Sequence, residues 1–261
     1  MTTLTKNLMM GAAGLAGLVA MTAPAFADDF DWGTVSAYVD VQSDYRFRGI
    51  SQNNLQPAPQ ASINWSGPDG FYAGVWASKT DWIGFFTPFS SPTYEVDLYG
   101  GKHFDLGGTD LNVEAYYYSY PDANTGLLGG TETASYFEGI FQLSHSFGSL
   151  ALTATAAFSP SWSLVGGTSE YIEGTASYPL NDWLSISGNV GHQWVDKFGA
   201  NTDYTHFDLG LTATWRSWAL DVRANGTDMN TATCSNYILS KNACTTGVVA
   251  TLTYNISDIF K

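Results

Sequence analysis

Beyond residue 27 the chain holds no apolar run near the roughly 20 residues that a membrane-spanning helix needs. Basic side chains are scarce: 10 Lys and Arg stand against 24 Asp and Glu, for a net charge of −14. Nucleic-acid binding wants a basic face, so that class is excluded. Only 13% of residues are charged, too few for an ordinary soluble helical enzyme surface. No phosphate-binding loop, zinc signature or nucleophile elbow occurs, so no cofactor or metal is expected. Two cysteines, Cys234 and Cys244, share one polar stretch.

What the chain does hold is aromatic and small residues, with 15 Tyr, 15 Phe, 9 Trp and 27 Gly. Residues 1–27 read as a cleaved export signal. Lys6 supplies the positive end, Leu8 to Met21 the apolar region, and Ala25-Phe26-Ala27 the small-x-small site before Asp28. Export places the cysteines in an oxidising compartment, which favours a Cys234–Cys244 disulfide. Closing so short a loop stabilises by roughly 3 kcal/mol in the chain-entropy picture.

Residues 34–45 alternate. Val35, Ala37, Val39, Val41 and Tyr45 share one side, and Ser36, Tyr38, Asp40, Gln42 and Asp44 share the other. A period of two is a strand with one apolar and one polar face. The pattern recurs near 58–66, 71–79, 93–103, 109–119, 134–147, 150–159, 169–180, 183–195, 204–215, 219–227 and 246–257. Connections alternate too. Tight ones carry turn residues, as in Gly67-Pro68-Asp69-Gly70, Gly148-Ser149 and Asn181-Asp182, and those between are longer. Aromatics gather at the tight ends: Trp65, Phe71, Phe104, Phe147, Tyr178, Trp183, Trp215 and Trp218. Strands near 10 residues, sorted loops and an aromatic girdle predict an all-β, antiparallel, up-and-down transmembrane β-barrel over residues 28–261. The expected count is about 12 strands, with 10 to 14 open, in the outer membrane of a Gram-negative bacterium.

The first strand runs into Ser43-Asp44-Tyr45-Arg46-Phe47-Arg48-Gly49-Ile50-Ser51. This SDYRFRGIS segment resembles the signature of the TorF-type porins, a family otherwise described as conserved hypothetical outer-membrane proteins. Gly70–Ser78 (GFYAGVWAS) and Tyr94–Gly101 (YEVDLYGG) look like the same family. The resemblance implies an outer-membrane barrel with a passive transport role and supplies no substrate.

If the apolar faces meet lipid, the opposite faces line a pore. They carry Asp40, Asp44, Glu95, Asp97, Glu114, Glu138, Glu173, Asp208 and Asp221, with Arg223 inside and Arg46 and Arg48 near the rim. Twelve strands give a backbone diameter of roughly 24 Å, part of it filled by tyrosines and Trp76. The acidic lining predicts a pore that prefers cations or small neutral solutes. A second reading pairs the carboxylates with the arginines in a closed plug.

Arg46 and Arg48 flank Phe47 and share the parity of Asp44, so both are expected to point one way. They form either a charged constriction or an anchor for the first loop, with Gly49 making a bend. His206 and Asp208 share a face and are the weak candidate for an oriented base. The aromatic run of Trp82, Phe85, Phe86 and Phe89 suits lumen insertion or surface contact. Three functions follow in order: a porin passing small solutes or ions, a plugged structural or surface-binding barrel, and, last, a lipid-modifying enzyme. The sequence singles out no oligomer interface.

Overall fold

A strand that is apolar on one face and polar on the other needs a hydrogen-bonding neighbour at each edge. In the computed structural model this need is met by closure. The structure describes residues 32–81, 94–121, 134–162, 167–196, 202–238, 240 and 242–257. Residues 1–27, expected to be an export signal, and the Trp82–Phe89 run lie outside those residues.

In chain order the strands are β1 (Thr34–Gln42), the short β2 (Arg46–Phe47) and β3 (Ile50–Ser51), then β4 (Ala58–Ser66), β5 (Phe71–Lys79), β6 (Tyr94–Asp105) and β7 (Thr109–Tyr118). They continue as β8 (Tyr136–Phe147), β9 (Leu150–Ser159), β10 (Ser169–Pro179), β11 (Leu184–Val195), β12 (Tyr204–Trp215), β13 (Trp218–Thr227) and β14 (Gly247–Ile256). An α-helix, α1 (Thr231–Ile238), precedes β14. Twelve strands form a closed antiparallel barrel in the order β1-β14-β13-β12-β11-β10-β9-β8-β7-β6-β5-β4, and β2 pairs only with β3. Closure falls at β1, where Val39 sits opposite both Ala61 of β4 and Tyr254 of β14.

Register then sorts every side chain by parity. Val39, Val41, Ile63, Leu98, Phe141, Ile172, Val190, Leu209, Val222 and Leu252 are exposed on the outside. A continuous apolar surface of this extent is the mark of a membrane or partner face. At the tight-turn end, where β1 begins and β14 ends, it is bordered by exposed Phe71, Phe104, Phe147, Tyr178, Trp183, Trp215 and Trp218. Two cations lie on these rings: Lys102 Nζ is 4.4 Å from the Phe71 ring and 5.2 Å from Phe104, and the Arg216 guanidinium is 4.8 Å from Trp215. Aromatics with cations laid over them suit an interface that is apolar on one side and wet on the other.

Two departures from the sequence expectation bear on the site. Strand one stops at Gln42 rather than Tyr45, because the chain turns inward there. The polar stretch before β14, expected as loop, contains α1. Asn230 caps it, its Oδ1 accepting from Thr233 N at 2.9 Å, and the Cys234–Cys244 disulfide, with Cα atoms 6.0 Å apart, ties the helix to the turn that enters β14.

Candidate functional site

Residues 43–57 connect β1 to β4, and their central part folds into the barrel. β2 and β3 form a two-stranded hairpin in which Arg46 faces Ser51 and Phe47 faces Ile50. Its tip is Arg48-Gly49, with φ of 48° and 80°. Both central residues of a type I′ turn need positive φ. Gly49 is required twice over, since a Cβ there would lie 2.8 Å from His206 Cβ and from Thr227 Cγ2. The base is closed by Gln52 N donating to Tyr45 O at 2.7 Å, Tyr45 N to Asn53 Oδ1 at 3.2 Å, and Ser51 Oγ to Asp44 Oδ1 at 2.6 Å.

Arg48 holds a left-handed conformation that costs a non-glycine residue about 1–2 kcal/mol, and its side chain supplies the compensation. Nη1 and Nη2 donate to Glu138 Oε1 at 3.0 Å and Oε2 at 2.8 Å, a two-pronged pair with Glu138 fully buried. Nη1 also donates to Gln193 Oε1. The guanidinium lies 3.8 Å from the centre of the Tyr171 ring and 4.6 Å from that of Phe47. Glu138 is on β8, Tyr171 on β10 and Gln193 on β11, so one side chain ties the hairpin to the distant wall.

Arg46 does otherwise. Its Nε donates to Asp44 Oδ2 at 2.6 Å and its Nη1 to Thr245 O at 2.6 Å and Gly49 O at 3.2 Å. The two arginines therefore do not act as the like-pointing pair their parity suggests. The parity rule holds only along a strand, and here the strand has already ended.

On the β5–β8 side the interior is aromatic. Ring centroids step from Tyr99 to Tyr116 (5.2 Å), Tyr118 (4.4 Å), Tyr136 (4.4 Å) and Trp162 (4.6 Å), and Phe47 meets Tyr118 at 5.5 Å. Phenols on this wall serve carboxylates. Tyr116 Oη donates to Asp97 at 3.1 Å, Tyr120 Oη to Glu95 at 2.9 Å, Tyr118 Oη to Glu138 at 3.1 Å, and Tyr72 Oη to Glu114 at 2.5 Å. The alternation along the chain puts these carboxylates inward, and the ladder that holds them emerges only in the folded barrel. The usable signal was parity, which puts Tyr116 and Tyr118 beside Glu114, and Tyr99 beside Asp97.

The β10–β14 side is polar. Arg223 donates to Asp221 from Nε at 2.6 Å and Nη2 at 2.9 Å, and to Asp208 from Nη1 at 2.7 Å. Asn189 Nδ2 donates to the other Asp208 oxygen at 2.7 Å. Asp208 is thus committed to Arg223 and Asn189 and does not orient His206. The imidazole Nε2 instead lies 2.7 Å from Tyr171 Oη and 3.7 Å from Glu173, whose carboxylate accepts from Tyr171 Oη at 2.7 Å. Asp40 also faces the interior, and its Oδ1 finds no hydrogen-bond partner among the described residues. Between the hairpin and this wall lies a small cavity of about 40 Å³ that opens to solvent. Asp44, Arg46 and Arg48 line it from the hairpin, Gln42 from β1, Glu173 from β10, and Asp208, Arg223 and Thr251 from β12 to β14.

Residues 30–260 match the model of a bacterial protein family of unknown function, Gcw_chp. No curated protein matches the chain in sequence. Solved structures match in fold. A structure described as the KdgM porin aligns with a TM-score of 0.52 at 8% identity, over 85% of this chain and 98% of that one. A second KdgM porin structure, in complex with disordered oligogalacturonate, gives 0.50 at 6% identity, over 87% and 99%. The NanC porin gives 0.52 at 8% identity, over 85% and 98%. At such identities the likeness is one of fold.

Proposed function

We propose, for a chain that belongs to the Gcw_chp family of bacterial proteins of unknown function, that it is an outer-membrane channel through which small solutes diffuse passively. One observation carries this reading. The twelve-stranded barrel is apolar outside and charged inside, and its inserted hairpin leaves a polar cavity along one wall. Porin folds among the solved structures support it, as does the SDYRFRGIS resemblance to TorF-type porins. On this reading residues 1–27 are removed on export, residues 28–261 form the barrel, and the aromatic-bordered belt meets outer-membrane lipid. No catalytic step is assigned to any residue.

Asp40, Asp44, Arg46, Arg48, Glu95, Asp97, Glu114, Glu138, Glu173, Asp208, Asp221 and Arg223 line the path or shape it. Arg46, Arg48 and Arg223 are each consumed by carboxylates. Asp40, Glu95, Asp97 and Glu114 have no Arg or Lys partner among the described residues. By formal charge, nine carboxylates stand against three arginines in this set, a balance that favours cations and neutral solutes over anions. The three arginines that could meet an acidic sugar are already held by carboxylates, so a ligand like the oligogalacturonate of the KdgM porin complex does not suit this lining.

Single-channel conductance of the refolded mature chain in a planar bilayer, with a salt gradient, tests the reading. Cation-selective steps are the expected result. Anion selectivity would defeat the electrostatic part. Silence from a folded barrel would favour the plugged structural or surface-binding alternative, to which the buried Arg48–Glu138 crossing already lends weight.

A further inference from the structure

The hairpin is held in the lumen by more than Arg48. Ile50 packs in one buried cluster with Tyr204, Cys234, Ala243 and Cys244, with Met229 against it. Ser51 N donates to Ala243 O at 2.9 Å, and Arg46 Nη1 donates to Thr245 O at 2.6 Å. Ala243 lies inside the loop that the Cys234–Cys244 disulfide closes, and Thr245 follows it directly. The connection between β13 and β14 therefore grips both hairpin strands, β2 through Arg46 and β3 through Ile50 and Ser51. Those carbonyls keep their places only while the turn at 242–245 keeps its shape. The one covalent restraint on that turn is the disulfide.

We propose that the Cys234–Cys244 loop is a positioning clamp for the constriction: while the disulfide is closed the Arg46–Ser51 hairpin stays seated, and when it is reduced the hairpin loosens and the bore widens. Reduction by a dithiol supplies two electrons and two protons. The Sγ–Sγ bond breaks, both cysteines become thiols, and the reductant closes its own disulfide. Thr80 Oγ1 and Asp81 N bond Gln52 O at 2.6 and 3.0 Å, so the exit of the hairpin stays tied and the movement is a hinge rather than a release. The conductance consequence rests on the channel reading, and the seating of the hairpin does not.

The hairpin carries its own reporter, because trypsin cuts after Arg46 and Arg48 only if they become accessible. The refolded mature protein in detergent is compared oxidised, after dithiothreitol with alkylation of both thiols, and as the Cys234→Ser/Cys244→Ser double variant. Retained heat-modifiable mobility confirms the barrel, and mass spectrometry reads cleavage. Cleavage after Arg46 or Arg48 is expected to rise about tenfold or more on reduction and in the double variant, since cutting follows the open population. Single-channel steps are expected to grow in parallel. Equal protection in reduced and oxidised barrels overturns the clamp. Should the double variant fail to fold, Ile50→Ala, which keeps the disulfide and removes its packing partner, carries the test: unchanged protection there overturns the clamp as well. Channels whose steps ignore reduction overturn the link to the bore. Absence of steps in every state defeats the channel reading, while trypsin still decides whether the clamp exists.

Discussion

The two walls of the barrel hold carboxylates by different means. On β5–β8 the partners are phenols. Tyr72, Tyr116, Tyr118 and Tyr120 each donate to an acid, and two of these rings lead to the hairpin, Tyr116 packed on Tyr118 and Tyr118 against Phe47. On β11–β13 the partners are a guanidinium, the Asn189 amide and the Thr212 hydroxyl, with Arg223 bridging Asp208 and Asp221. A phenol satisfies an acid with its tip and leaves a large ring that must itself be packed, so that half of the lumen fills. An arginine lying along the wall satisfies two acids at once and needs no further cover, so a cavity remains beside it. The difference teaches that the lumen is filled unevenly, and that the hairpin stands between the two walls, reaching Tyr118 on one side and Tyr171, Gln193 and His206 on the other.

The strongest way to break this contrast is Glu138→Ala. It strands a buried guanidinium, and losing one partner of a buried pair costs about 3–5 kcal/mol. A matching drop in urea stability of the lipid-refolded barrel is expected, together with larger conductance steps. The paired change Arg48→Met with Glu138→Leu should recover most of the stability, because apolar replacement of a whole buried pair is often neutral. Gly49→Ala comes next. It places a Cβ in a left-handed position against His206 and Thr227, for a loss of about 1–3 kcal/mol read from the same titration. Tyr118→Phe removes one donor to Glu138 while keeping the ring, and should cost about 1–2 kcal/mol with little change in conductance. The smallest structural effect is expected on the polar side. Asp40→Asn keeps the shape of a carboxylate that lacks a protein partner at Oδ1, so unfolding should barely move. The zero-current potential in a salt gradient should nonetheless shift away from cations, and an unchanged potential would show that Asp40 does not face the conducting path.

Much of the barrel was legible along the chain. The ranges expected for the second, third and seventh barrel strands coincide with β4, β5 and β9, and the outward aromatics at the tight turns sit where parity put them. Parity also put Asp40, Glu95, Asp97, Glu138 and Arg223 inside. The errors share a cause. Strand one was carried past Gln42 because Asp44 and Tyr45 continue its alternation, although the sheet no longer holds them. His206 and Asp208 lie on one face, yet each found a nearer partner on another strand. α1 was missed because a short capped helix within a polar loop has almost no periodic signal.

Alternation is a local property, repeated by each strand without reference to the others, and so strands, faces and turn ends follow from the sequence by itself. Which acid meets which donor is decided by closure and register, and only the tertiary structure settles it. Arg48 reaches Glu138 across 90 residues and Gln193 across 145, because twelve strands curl into one ring and a hairpin folds inside it. The physical reason is geometric: a period of two says on which side of a sheet a residue lies, and nothing about what stands opposite once the sheet is closed.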